Sequence, residues 1–406
     1  MKKDFIFSSE SVTEGHPDKL CDKVSDALVD HFLEQDKFAK IIAECAVSTS
    51  ILFIAARFAS DAVVDIPNVA RRVLAEIGYD QPGFSSKTCS ILTSISESSR
   101  DEFCCFEENE LTDEDIESIP ARNQVTVFGF ACTQTPTLMP LPIWLAHKTS
   151  RKINSVRKEK KLPYLCPEAK VDIGVEYKDR KPSRIHSITI TASQHSEDPA
   201  IDKLRDDLRE LVIKSVFEDE VIRPDEATEI FINPEGPLLL GGPSVHAGLT
   251  GRKTAMDTYG EYSRHSGAAL SGKDPLRIDR VAAYAARYAA KNVVAAGLAE
   301  ECELQLSYSI PRSRPVSIQV ETFGTGKMSD TKLATLLRNN FEFRIAGIVR
   351  QFDLRKLPSL RPGGFYRKLA AYGHMGRADI DLPWERMDMV EKLQGLGNSG
   401  IKQLRN

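Results

Sequence analysis

The sequence predicts an α+β protein made of three related units, and three observations carry that prediction. Runs of strand-like residues occur in small groups, each followed by a segment with helical spacing. The same order appears three times along 406 residues, a length beyond what one hydrophobic core usually serves. Composition is that of an ordinary globular chain, 41% hydrophobic and 28% charged, with a formal net charge of -4.

The first unit, residues 1–100, reaches a helix at 18–36, where Leu20, Val24, Ala27, Leu28 and Phe32 share one face. Strands are expected at 41–47 and 51–56, a second helix at 66–77 ending near Gly78, and a strand at 88–95. Residues 101–122 break the pattern, with nine acidic residues against one basic and the Cys104–Cys105 pair inside them. They read as a solvated linker or a mobile lid over a site. The second unit, 123–240, has a strand at 124–131, a basic helix at 142–160 and strands at 169–177 and 187–192. A helix at 202–217 and a short strand at 229–232 close it. The third, 241–393, carries an Ala-rich helix at 279–297, strands at 303–308 and 316–322, and a helix at 329–340. The alanines between Ala282 and Ala290 imply close helix packing. Residues 394–406 read as a tail.

Several function classes fall away. A slightly acidic chain has no general field for nucleic acid or membrane, so anions must be met by local clusters of Lys and Arg. The eight cysteines are scattered, without paired zinc spacings or a disulfide framework. Met1-Lys2-Lys3-Asp4-Phe5 does not open a signal peptide, and no apolar window is long enough to span a bilayer. A soluble, cytoplasmic protein is expected.

Two segments have the makings of a polyphosphate site. Glu14-Gly15-His16-Pro17-Asp18-Lys19 stands at the start of the first helix, where an N-terminus favours anions and Asp18 can hold a bridging metal. An Asp that merely caps the helix is the competing reading. The second segment runs from Gly241-Gly242-Pro243 through Gly248-Leu249-Thr250-Gly251-Arg252-Lys253 to Ser271-Gly272-Lys273-Asp274-Pro275. Glycines beside cations let N–H groups and charges reach phosphate oxygens together, although the Walker A spacing is absent. Asp279 opens the Ala-rich helix as a second candidate carboxylate. Lys170 and Ser193 lie at strand ends, and Glu44 interrupts an apolar strand, as either a cation ligand or a residue on a wet face.

Taken together these motifs resemble the methionine adenosyltransferases, the S-adenosylmethionine synthetases, from Phe7 to about Lys392. Asp257-Thr258-Tyr259-Gly260, Ala282-Ala283-Tyr284-Ala285-Ala286-Arg287-Tyr288 and Ala371-Tyr372-Gly373-His374 add to the match. The resemblance implies three pseudo-symmetric domains, each a mixed sheet covered by helices, in a homodimer or homotetramer with active sites between subunits. It also implies two Mg²⁺, one K⁺ and attack of a sulfur on C5′ of ATP, with the triphosphate cleaved to phosphate and pyrophosphate. By that pattern His16 meets the bridging oxygen and Lys170, Arg252, Lys253 and Lys273 hold the triphosphate, with Arg277 in place of a family lysine. Asp18 and Asp279 hold Mg²⁺, and Glu44 holds K⁺.

The acceptor side departs from the family. Arg57, Asn123 and His246 stand where carboxylates are expected, Ser98 where a glutamine is, and Leu238 where an aromatic stacks on adenine. A charge-assisted hydrogen bond to an ammonium is worth about 1.5–3 kcal/mol, so these exchanges bear on the acceptor. The expectation is transfer to methionine or a methionine-like thioether. A different sulfide, or a silent nucleotide-binding subunit, are the alternatives; the retained triphosphate residues count against the second.

Overall fold

The computed structural model describes residues 3–99, 105–361 and 363–402. Among the described residues eleven strands form three sheets, beside a two-stranded ribbon of Asp80–Gln81 with Phe84–Ser85. In chain order they are β1 (Phe5–Val12), β2 (Lys40–Ser48), β3 (Ile51–Ala59), β4 (Ser90–Glu97), β5 (Val125–Cys132) and β6 (Leu165–Lys178). They continue with β7 (Lys181–Gln194), β8 (Glu229–Ile232), β9 (Gly248–Leu249), β10 (Glu301–Tyr308) and β11 (Ser317–Glu321). The sheet orders are β1-β6-β7-β8, β9-β2-β3-β4 and β11-β10-β5. Each sheet takes a strand from a distant part of the chain: β1 pairs with β6, β9 with β2, and β5 with β10.

Helices cover these sheets as the sequence pattern expects. The helix α1 (Pro17–Gln35) buries Leu20, Val24, Ala27, Leu28 and Phe32 against β2. The helix α2 (Ile66–Ile77) starts on an Asp65 cap and stops at Gly78 in the left-handed conformation. The basic helix α3 (Leu141–Lys158) lies on the first sheet, and the Ala-rich α4 (Ile278–Ala295) packs on β5 and β10 with nearly every residue buried. The segment expected as one helix at 202–217 is helical throughout, with a wider π-type turn at Arg209–Lys214 between Ile201–Leu208 and Ser215–Phe217.

Other features differ from expectation. β1 lies outside the elements expected from the sequence; it pairs along β6 over its whole length, from Phe5 with Tyr177 to Val12 with Lys170, and Val12 reaches the core. The helices Ile345–Phe352 and Val390–Lys402 add to the third unit, the latter running through the segment read as a tail. Of the acidic segment, 101–104 lie outside the described residues, Cys104 among them. Its remainder is docked: helix Asp113–Ser118 carries a Thr112–Asp115 capping box and buries Ile116. Asp113 and Glu117 pair with Arg344, Glu117 also with Arg314, and Glu108 with the buried Arg355. Opposite charge on the last third of the chain thus holds a stretch whose own composition suggested solvation.

Candidate active site

The site is organised by four aspartates spaced four apart on α1, which places Asp18, Asp22, Asp26 and Asp30 on one helix face. All four are buried, and each accepts from the backbone of a distant loop. Asp18 Oδ1 takes the Leu249 N–H at 3.0 Å, Asp22 Oδ1 that of Gly251 at 2.8 Å and Asp26 Oδ1 that of Gly272 at 2.9 Å. Asp30 takes those of Tyr366 and Arg367 at 2.9 and 3.0 Å. Lys19 neutralises part of this charge through Asp22 and Asp257, and Arg280 grips Asp26 with two bonds of 2.8 and 2.9 Å. Both glycine-rich loops are therefore pinned to one rod.

At the N-terminal end of the rod, Pro17 begins α1 and His16 caps it, its Nδ1 accepting from the Asp18 N–H at 3.2 Å. That bond leaves the ring proton on Nε2. Burial, with the charges of Lys253 and Lys170 nearby, pushes the His16 pKa down to about 2, so the ring stays neutral. Gly248 is required here, because a Cβ would stand 2.2 Å from the Pro17 carbonyl carbon. Around Asp18 lie Arg252 Nη1 at 3.8 Å and Lys253 Nζ at 3.9 Å, the latter also 3.2 Å from Glu10. Lys170 is exposed on β6 opposite Val12, and buried Ser193 donates to the Glu168 carbonyl. Half-buried Leu238 accepts through its carbonyl from the Gln194 N–H.

Glu168 is the site residue that sequence reasoning missed. It is buried, its Oε2 accepts from the Gly242 N–H, and its Oε1 lies 2.7 Å from His246 Nε2 and 3.9 Å from His16 Nε2. Its position two residues before Lys170, near the start of a strand, was the available signal.

A second cluster gathers at the other end of β2. Lys273 bridges to Ile42, and its Nζ lies 3.3 Å from Asp279 Oδ1. Asn123 Nδ2 is 3.1 Å from both Asp279 oxygens, so this amide orients the carboxylate. Arg277 turns instead to buried Asp274, with Nε at 3.8 Å. Arg57 is exposed on β3 opposite Ile42, and Ser98 follows β4, its N–H donating to the Phe58 carbonyl. Glu44 is exposed on the same sheet face, two residues along β2 from Ile42.

The expected residues thus fall into two groups within one chain. His16, Asp18, Lys170, Ser193, Leu238, His246, Arg252 and Lys253 belong to one; Glu44, Arg57, Ser98, Asn123, Lys273, Arg277 and Asp279 belong to the other. Five residues of β2 separate Val47, beside Gly248, from Ile42, beside Lys273. At strand rise that is about 17 Å. A cavity of about 630 Å³ lined by Gln134, Arg180, Glu220 and Glu301 touches neither group.

Lysines and arginines meeting buried carboxylates at a helix N-terminus define a polyphosphate-binding class of site. The sequence matches three family models: the S-adenosylmethionine synthetase N-terminal domain over 4–100, its central domain over 118–238 and its C-terminal domain over 240–386. It is 46% identical to S-adenosylmethionine synthase of Synechococcus elongatus, covering 97% of this chain and 98% of the relative. The enzymes of that name from Rippkaea orientalis and Trichormus variabilis are each 47% identical, over 97% of both chains. The chain belongs to the S-adenosylmethionine synthetase family, metal-dependent transferases of three α+β domains. Among the described residues no helix is long and apolar enough to cross a membrane.

Proposed function

We propose that the protein transfers the 5′-adenosyl group of ATP to the sulfur of methionine, forming S-adenosylmethionine, with the triphosphate then hydrolysed by water to phosphate and pyrophosphate. The observation that carries this reading is neutral, buried His16, its Nε2–H free for the leaving oxygen, beside Asp18, Arg252, Lys253 and Lys170. A thioether has no proton to lose, so no base is needed. The S–C5′ bond forms as C5′–O breaks, and the electron pair leaves with the triphosphate. The barrier is then set by charge on that leaving group, which preorganised donors and cations stabilise. His16 donates a hydrogen bond; Lys170, Arg252, Lys253 and Lys273 hold phosphate oxygens, with Ser193 and Arg277 beside them.

Asp18 and Asp279 suit Mg²⁺: each is a single carboxylate among phosphate-binding cations, as expected for an ion that keeps water and phosphate oxygens as its other ligands. Two Mg²⁺ there and one K⁺ at Glu44 would supply, when bound, further positive charge against the triphosphate. Glu44 alone is an open, one-carboxylate site in the single chain.

The two clusters support a two-fold dimer. Across the open face of the second sheet, Leu249, Ala46, Phe53 and Leu92 lie in one row, with Leu249, Phe53 and Leu92 43%, 39% and 52% exposed. A second copy packed face to face on this sheet, turned about a two-fold axis near Glu44 and Cys45, midway between Ile42 and Val47, would cover the row and lay one protomer's His16 end over the other's Lys273 end. Asn123, Arg57 and Ser98 would then face the partner's His246 and make one acceptor pocket.

The test of the reaction is product formation from ATP, Mg²⁺, K⁺ and methionine, read by mass. S-adenosylmethionine is expected; adenosylation of other sulfides but not methionine would overturn the acceptor. The shared site is tested by mixing inactive His16→Ala and Lys273→Ala chains. Random pairing leaves about one site in four intact, so about a quarter of wild-type turnover should return. No return would place both halves in one chain.

A further inference from the structure

We propose that His16, Glu168 and His246 form a binding site for one zinc-class transition-metal ion, distinct from the magnesium carboxylates. The three donor atoms lie within 4.8 Å of one another, the two histidine rings 5.1 Å apart by their centroids. Two imidazoles and one carboxylate are a zinc donor set, with the remaining position open to solvent or ligand. At zinc bond lengths, tetrahedral ligand atoms stand about 3.3 Å apart. Here Glu168 Oε1 lies 2.7 Å from His246 Nε2 and 3.9 Å from His16 Nε2. Shifts of about 0.6 Å bring these two edges to that spacing, and the third edge, between the imidazole nitrogens, is no longer than 4.8 Å.

One supporting contact is already made, and a second needs Asp18 Oδ2 to close on His16 Nδ1. Glu168 Oε2 is held by the Gly242 N–H, leaving Oε1 for the ion. A ligating His16 Nε2 must carry its ring proton on Nδ1, and Asp18 Oδ2 stands 3.8 Å from that nitrogen. A carboxylate behind a ligating imidazole is the usual second partner in zinc sites. The Asp18 N–H bond to Nδ1 is lost in this tautomer, so the ion and the hydrogen-bonding role of His16 exclude each other. His246 is one-third exposed, which leaves a route of entry. Mg²⁺ competes poorly for a site with two nitrogen donors.

Full-length protein is titrated with Co²⁺ in excess Mg²⁺, followed by visible absorption, and back-titrated with Zn²⁺. One Co²⁺ per chain is expected, displaced by Zn²⁺. Binding should weaken about a hundredfold in His246→Asn and at least about tenfold in Glu168→Gln, with circular dichroism unchanged. His246 is partly exposed, so its substitution is the safer of the two for folding. Binding absent in the wild type, or equally tight in both folded variants, would overturn the proposal.

Discussion

Glu14, two residues before His16, gives a prediction whose size and pH dependence both come from the structure. Its carboxylate is 5% exposed and meets Lys23 and Lys158, with Asn154 Nδ2 at 3.1 Å. Burial alone would raise its pKa, but the two ammonium groups outweigh that and hold it at about 2 against an ordinary 4.5. A shift of that size corresponds to about 3 kcal/mol of stability. Burial disfavours the charge of Lys23 and lowers its pKa, which offsets part of the gain. Glu14→Gln keeps the shape and removes the charge, so a loss of about 2 kcal/mol is expected at neutral pH. Because the folded pKa is depressed, this stability is present above about pH 4.5 and is lost as pH falls toward about 2. Between about pH 5 and pH 3.5 the gap between wild type and variant should close by about 1 kcal/mol. Denaturant unfolding at fixed protein concentration measures it. A gap that does not change over that range would refute the assignment of the charge pair.

Three further outcomes follow from the same network. Asp26→Ala leaves Arg280 buried without its bidentate partner and should cost about 3–5 kcal/mol in denaturant unfolding. Gly272 has φ +78° and no room for a side chain, since a Cβ would stand 2.1 Å from the Ala43 carbonyl oxygen. Gly272→Ala should therefore lower stability by about 1–3 kcal/mol and reduce turnover by displacing Lys273, both measurable on one preparation. Lys273→Ala should lower turnover about a hundredfold or more while the melting temperature stays within a few degrees, as read by steady-state rates and calorimetry.

Much of the fold was legible because burial follows periodicity. α1, α2, α4 and strands such as β2 fall within a residue or two of their expected limits. β1 was not, because Ser8, Ser9, Glu10 and Ser11 occupy most of its inner half; it is an edge strand, and its pairing with β6 supplies what its side chains do not. The two-residue β9 has no period to read; contact of Gly248 with Pro17 sets its place. Among candidate site residues, motif spacing singled out His16, Asp18, Lys273 and Asp279. Glu168 escaped because its partners, His246 and Gly242, are more than seventy residues away in sequence. Asn123 looked like a lost carboxylate, and its bonds to Asp279 appear only once strand and helix are packed together.

The aspartate row on α1 fixes the spacing of two clusters about 17 Å apart, as the proposed shared site requires. Asp18 and Asp26 are eight residues apart, about 12 Å along the helix. One fixes the loop leading to Arg252 and Lys253, the other the loop carrying Lys273. A rigid helix therefore sets the distance between the half-sites, where two independent surface loops would let it vary. In a two-fold pair that distance must match between copies, since each copy presents both ends to its partner. In the proposed pair, shifting either loop would misalign both composite sites together, and the buried ion pairs of Lys19 with Asp22 and Arg280 with Asp26 resist such a shift. Their desolvation makes them poor contributors to net stability. What they do is hold the two glycine-rich loops at one separation.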